Sequence, residues 1–390
     1  MRALLLVLDG TGVGNAADAT AFNDRGADTL GHIFLHRQAL RLPNLFSMGL
    51  GQILSGSDAE TPIRDGYGRM RPAINASDSI SGHWEIAGVT GLEPFATLEK
   101  FPEELIEAIR KEAHTGFVVG CRPDDGRIPS GLLEKHFQSG YPILYAGAES
   151  SMEIAAHEEI IPRKQLYGIC RIARRLCNSW RIAQVIAKPF SGTALSPADN
   201  GGRHVYQMVP PRTVLNAITE KGLVVEGVGK ISDLFAHSGI THSHRAHSNR
   251  KGMVTIENLW DTLHEGLIFA NLPEFDQYGH QRDLHGFANA LIEFDSWLGG
   301  FLPKIEPEDL LIITADHGND PTFRGNGHTR EEVPLIALCG GRSGPLGVRE
   351  TFADVAATLA VYFGLDEPWP VGKSFLPPSW KRQRPFHLQK

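Results

Sequence analysis

The chain opens on a continuous apolar run, residues 3–8, closed by Asp9-Gly10. An unbroken run of this length ended by a turn former predicts a strand buried on both faces. Residues 267–270, shortly before Asp276, repeat the pattern, as do residues 310–313, which lead into Asp316-His317-Gly318. Between them, residues 288–298 carry apolar side chains at helical spacing, 335–338 read as another short strand, and 351–363 read as a helix. This alternation predicts an α/β chain with a mostly parallel sheet flanked by helices on both faces. Such sheets gather ligands beyond the carboxyl ends of their strands. Asp9, Asp276 and Asp316 all follow predicted strands, so the pattern itself nominates a shared site.

The middle of the chain has a different rhythm. Residues 143–145 and 182–186 read as short strands around a helical stretch, 163–176. Val209-Pro210-Pro211 makes a natural hinge, because each ring fixes its own φ and restricts the residue before it. After it, 213–221 reads as a helix and 223–228 as a strand, which restores the β/α alternation. The expected organisation is a core domain formed by residues 1–94 and 211–390, with a smaller α/β cap domain, 95–210, inserted into it. Repeats and low-complexity segments are absent from the sequence.

Composition narrows the partners. The 390 residues exceed what one simple core accommodates, which agrees with two domains. A net charge of -7 without a long Lys/Arg run argues against nucleic acid. The four cysteines, Cys121, Cys170, Cys177 and Cys339, form no CxxC pair, as expected of reduced thiols. The N-terminal apolar run is shorter than the roughly 7–15 residues of a signal peptide core. No run approaches the roughly 20 residues that span a bilayer. The expectation is a cytoplasmic protein with a small-molecule substrate and neither a nucleic-acid nor a membrane partner.

Candidate chemistry concentrates where the strands end. Asp316-His317 with His328, Asp276 with His280, and Asp9 supply carboxylate and imidazole donors suited to divalent ions such as Mn²⁺, Mg²⁺ or Zn²⁺. Two such ions can hold a phosphoryl group between attacking and leaving oxygens. Any one of these residues alone is more often a turn former or a locally hydrogen-bonded group; the set of six points to metal. The run His242-Ser243-His244-Arg245-Ala246-His247 would put alternating histidines on one face of a strand. Its polar interleaving reads instead as an exposed loop. A nucleophile candidate lies in Ser77-Asp78-Ser79-Ile80-Ser81-Gly82-His83-Trp84-Glu85, where hydroxyls precede an amphipathic stretch. A hydroxyl at a helix N-terminus gains from the dipole and can be activated by a metal. Residues of this type also serve as plain N-caps, and the pattern alone does not choose among the serines.

The segments VLDGTGVGNAADATAFNDRGADTLGHI, SDSISGHWEIAG, IAAHEEIIP, GVGKISDLFA, TADHGNDPT and GHTREEVPL together resemble bacterial phosphopentomutases of the alkaline phosphatase superfamily, in the same order through nearly the whole chain. The resemblance implies an alkaline-phosphatase-like core with a cap. It also implies two Mn²⁺ ions, a bisphosphorylated sugar activator, and interconversion of ribose (or deoxyribose) 1-phosphate and 5-phosphate. It places the family's phosphorylated threonine at Ser79. By the same carry-over Asp9, Ser79, Asp316 and His317 surround one ion, and Asp276, His280 and His328 the other. The cap positions that hold the substrate's distal phosphate and hydroxyls in the family correspond here to Lys188, Arg203 and Glu149. Lys188 stands for an arginine, which loses the bidentate fork; Glu149 stands for an aspartate. The Asp276–His280 spacing is one residue shorter than the family's. Cap closure would exclude water, which otherwise competes as phosphate acceptor. Two other readings stay in view: a phosphatase or phosphodiesterase whose cap admits water, and a binding protein that kept the fold.

Overall fold

In the computed structural model, which describes residues 1–14, 16–55, 65–121, 128, 130–147, 150–339 and 344–377, the apolar runs become neighbouring strands of one sheet. Arg2–Leu8 lies between Gly266–Leu272 and Leu310–Thr314 and is parallel to both. Every residue of those two flanking strands is buried, which is why they read as unbroken apolar runs rather than as alternation. The full order is His242–His244, Val224–Val228, Gly266–Leu272, Arg2–Leu8, Leu310–Thr314, Val333–Cys339, Gly66–Met70, Gly344–Arg349. Val333–Cys339 is antiparallel to both neighbours; every other pair is parallel. Leu8 pairs with Leu272, and Val7 with Thr314. That register brings the segments after three strands, with Asp9, Asp276 and Asp316, together at the strands' carboxyl ends.

Leu4, Leu6 and Leu8 pack with Ile268, Ala270, Leu311 and Ile313 into a core closed by Phe287, Leu291, Phe294 and Leu298 of the helix Leu284–Phe301. The helix expected over 351–363 is Asp354–Tyr362. The one expected over 213–221 is Val214–Glu220, started by a reciprocal capping box between Thr213 and Asn216. Two strands of this sheet, Gly66–Met70 and Gly344–Arg349, carry no apolar run that would announce them. Their pairing needs glycine: a Cβ on Gly68 would stand 2.3 Å from the Gly347 carbonyl oxygen. The histidine run is corrected from loop to strand, since His242–His244 pairs in parallel with Val224–Val228 at the sheet edge.

By its contacts the chain divides into two units, Met1–Glu93 with Pro210–Lys390, and Pro94–Val209. The second unit has its own mixed sheet, ordered Val118–Val119, Ile143–Ala146, Ser151–His157, Gln184–Thr193, Ser196–Asp199, with His204–Gln207 also pairing Gln184–Thr193. The helix Arg163–Cys177 buries Leu166, Ile169, Cys170 and Ala173 against Leu105, Ile106 and Ile154. The strand expected at 182–186 begins at Gln184 and continues past Pro189 to Thr193. Ser151–His157 was not legible as a strand, because Glu153 and His157 interrupt its apolar residues, yet all seven residues are buried. Among the described residues no helix is long and apolar enough to cross a membrane.

Candidate metal centre

The first strand delivers Asp9, fully buried, to its carboxyl end. Gly10 then turns with φ +74°, and its amide donates to Asp316 Oδ1 at 3.1 Å. Asp316 and His317 follow Leu310–Thr314 after Ala315, and both are buried. Asp9, Asp316 and His317 thus converge closely enough to share one ion. His317 Nε2 stands 3.2 Å from Asp316 Oδ2 and 3.6 Å from Asp9 Oδ1. Asp276 and His280 sit one turn apart on the helix Glu274–Gln281, 3.3 Å from each other. The i, i+4 spacing therefore places both donors on one helix face. His328 Nε2 completes this second group, 3.4 Å from Asp276 Oδ1 and 3.1 Å from His280 Nε2. The His317 and His328 rings stack at 3.9 Å, so the two groups adjoin.

Ser79 is the first residue of the helix Ser79–Ile86. Its Oγ is 3.0 Å from His317 Nε2. Asp78 is the N-cap: it accepts from the Ser81 amide at 2.9 Å and from the Ser81 hydroxyl at 2.7 Å. These contacts separate two of the serines left undistinguished by sequence. Ser81 is spent on the cap, and Ser79 faces the donors.

The arrangement fits divalent ions on three counts. Asp9 Oδ1 is buried and accepts no hydrogen bond, a costly state for a carboxylate oxygen. The Nδ1 atoms of His280, His317 and His328 lie at 2.6, 3.1 and 2.9 Å from the backbone carbonyls of Asn326, Gly318 and Ser77. These partners assign Nδ1 as donor and leave the Nε2 lone pairs of all three rings pointing inward. Finally, carboxylate with imidazole is a donor set for borderline divalent metals. Without an ion the charges balance otherwise. Burial opposes charge on His317, but Asp316, with Asp276 and Asp9 behind it, pushes its pKa up to about 10. Burial and the neighbouring Asp316 carboxylate push Asp9 up. His280 and His328 overcome burial to hold Asp276 well below the usual carboxylate range, and His317 and His83 do so for Asp316.

Several site residues escaped the sequence reading. Lys230 lies just past the strand Val224–Val228 and reaches both groups, 2.9 Å from Asp9 Oδ2 and 3.7 Å from Asp276 Oδ2. The strand-end rule that found the aspartates could have found it. Asn271 is buried within a strand and donates to Asp9 Oδ2 at 3.0 Å; an asparagine inside an apolar run needs a partner and was a signal. Asn319 donates to Asp276 Oδ1 at 2.8 Å.

In the second unit, Lys188 and Arg203 line a cavity of about 700 Å³ together with Pro189, Phe190, Leu195 and Asp199. The Lys188 ammonium is already engaged. It forms an ion pair with Glu153, whose residue is nearly buried, and lies 3.3 Å from the Tyr145 hydroxyl. Arg203 is exposed. Glu149 lies outside the described residues. At the sheet edge of the first unit, His242 and His244 each hydrogen-bond one oxygen of Glu226, at 2.9 and 2.7 Å. This trio is not among the groups of described residues whose donors converge for an ion.

The profile of the Metalloenzyme superfamily matches residues 1–367. A phosphopentomutase of Syntrophotalea carbinolica is 43% identical over 96% of this chain and 97% of its own length. One of Symbiobacterium thermophilum is 41% identical over the same shares. Among solved structures, Leishmania mexicana phosphoglycerate mutase aligns over 95% of this chain and 97% of its own at 13% identity, with a TM-score of 0.47. With its α/β fold, the chain belongs to the phosphopentomutase family of the metalloenzyme superfamily.

Proposed function

We propose that the chain interconverts the 1-phosphate and 5-phosphate of ribose, deoxyribose or a related modified pentose, with Ser79 carrying the phosphate between them. The chain is an enzyme of the phosphate-transferring mutase class. The observation that carries the residue assignment is the placement of Ser79 Oγ, 3.0 Å from His317 Nε2, beside two adjoining groups of inward-facing donors. In this reading Asp9, Ser79, Asp316 and His317 hold one divalent ion, and Asp276, His280 and His328 hold the other. The ions are Mn²⁺, and a bisphosphorylated sugar primes the serine. When bound, the ions supply positive charge that lowers the serine hydroxyl pKa and neutralises the phosphoryl oxygens. The chain's own residues supply position. Asp78 fixes the start of the helix, so that the Ser79 phosphoryl group sits at its amide-rich end. Lys230 adds a fixed cation beside Asp9.

The transfer proceeds in two halves. The bond from phosphorus to Ser79 Oγ breaks as one forms to the substrate's free hydroxyl oxygen, whose proton is released. The resulting bisphosphate then returns its other phosphoryl group to Ser79. Arg203, Lys188 and Glu149 are the proposed contacts for the distal phosphate and sugar hydroxyls. The four free thiols agree with a cytoplasmic setting.

The test is mass spectrometry of protein incubated with Mn²⁺ and a pentose or hexose bisphosphate. A phosphate adduct on Ser79, lost in Ser79→Ala together with turnover, is the expected result. No adduct, with Ser79→Ala fully active, would overturn the assignment. Release of free phosphate in place of isomerised sugar phosphate would instead establish the hydrolase.

A further inference from the structure

His83 has no place in the chemistry described so far, yet it is a buried hub of contacts beside Ser79. It lies one turn after Ser79 on the helix Ser79–Ile86 and is 0% exposed. Its Nδ1 is 2.7 Å from the Ser79 carbonyl oxygen and 3.1 Å from Asp316 Oδ2. Its Nε2 is 3.2 Å from Asn271 Nδ2, and the same amide nitrogen is 3.0 Å from Asp9 Oδ2. These partners assign which ring nitrogen donates. Asp9 Oδ2 is an acceptor, so Asn271 presents its NH₂ group on this side, and one hydrogen goes to each neighbour. His83 Nε2 must then accept, which leaves the proton on Nδ1, where a carbonyl and a carboxylate oxygen wait for it. One imidazole therefore ties together the backbone of the nucleophile, the carboxylate of Asp316 and, through Asn271, the carboxylate of Asp9.

We infer that His83, with Asn271, is the positioning pair of the Asp9–Ser79–Asp316–His317 ion site. The inference rests on the metal-dependent reading of that site above. The pair touches neither ion nor substrate. It sets the angle at which Asp9, held through Oδ2, presents Oδ1, which accepts no hydrogen bond, and it holds Asp316 at Oδ2. It also couples those carboxylates to the residue that carries the phosphate. The group of Asp276, His280 and His328 is ordered by other means, the Asn319 amide and the helix Glu274–Gln281. The consequence is selective, because loss of the pair weakens one ion site and spares the other. Groups that orient ligands in this way typically contribute 10–100-fold in metal affinity.

Calorimetric titration of metal-stripped protein with Mn²⁺ tests this, with Asp276→Asn used to assign which of the two binding steps belongs to which site. His83→Gln, whose amide reaches toward the Nε2 position but removes the Nδ1 donor, should weaken the Asp9–Asp316 step by about 10–100-fold. It should leave the Asp276 step within a factor of about two. His83→Asn, which restores a donor near Nδ1, should recover most of the loss. Asn271→Ala leaves the imidazole in place and should weaken the same step, so it carries the test if the His83 variants do not fold. An unchanged first step in His83→Gln or Asn271→Ala, or equal weakening of both steps, overturns the inference. Wild-type protein that binds no divalent ion would sink the metal-dependent reading as well; wild-type protein that binds two, with unaltered variants, sinks only the positioning role.

Discussion

Gly82 offers the sharpest test of how the nucleophile helix is seated. A Cβ at this position would stand 2.2 Å from the Asp316 carbonyl oxygen and 2.9 Å from Asp316 Cβ. Two effects of Gly82→Ala oppose each other. Helix propensity favours alanine by about 1 kcal/mol. Reaching an ordinary contact, 3.4 Å or more, requires the helix and the Asp316 turn to part by roughly 1 Å, and overpacking of this kind costs about 1–3 kcal/mol. Neither partner can yield easily, since the obstacle is backbone and Asp316 is held by the Gly10 amide. The overlap therefore wins, by a small margin in stability and a large one in rate. Separating Ser79 from Asp316 and His317 by about 1 Å should lower turnover on the order of 100-fold. Gly168 is the control: it lies mid-helix, a Cβ there would meet nothing within 4 Å, and alanine should stabilise by about 1 kcal/mol. The assays are steady-state conversion of pentose 1-phosphate and thermal melting. A Gly82→Ala enzyme that is as active as wild type, or that gains stability as Gly168→Ala does, would refute the reasoning.

Three further outcomes are expected. Glu153→Gln should release Lys188 from its carboxylate and lower KM for the sugar phosphate; a partly exposed pair is worth up to about 1 kcal/mol, roughly fivefold, and a KM that rises or stays put would remove Lys188 from the proposed substrate contacts. Burial holds the pKa of His136 below its usual 6.5, and its ring accepts the His157 amide at 3.0 Å, a bond that protonation would break. Because the unfolded chain takes up this proton first, stability should fall as pH drops through and below 6.5, and melting curves from pH 8 to 5 should show a shallower slope in His136→Asn; equal slopes would exclude His136 as the cause. Chelation should lower the melting temperature without unfolding the protein at room temperature: two ions, each at about 100 times its Kd, stabilise by roughly 5 kcal/mol together, and a melting curve indifferent to chelator would argue that no ion is held.

What the sequence disclosed and what it withheld divide along physical lines. The central strands were legible because burial on both faces demands unbroken apolar runs, as in residues 267–270 and 310–313. Asp9 and Asp316 were legible because the carboxyl ends of parallel strands collect ligands. Gly66–Met70 and Gly344–Arg349 were not, since their pairing depends on missing side chains and leaves no hydrophobic signature. His242–His244 reads as loop because an edge strand has little apolar requirement, and its histidines are held by Glu226 from the neighbouring strand. Lys230 and Asn271 left local signals, at a strand end and inside an apolar run, whereas His83 gains its meaning from Asp316 and Asn271, far away in sequence. The choice of Ser79 over Ser81 likewise turns on which hydroxyl the Asp78 cap consumes.

Lys230 has one more consequence. Its ammonium stands between Asp9 and Asp276, and those carboxylates hold its proton more firmly than usual against the cost of burial. The polypeptide thus carries an internal counter-ion for its own acidic cavity. A newly made chain need not recruit metal to keep these carboxylates from driving the strand ends apart. The chain itself balances part of their repulsion, so charge balance at these strand ends does not rest on a bound cation alone.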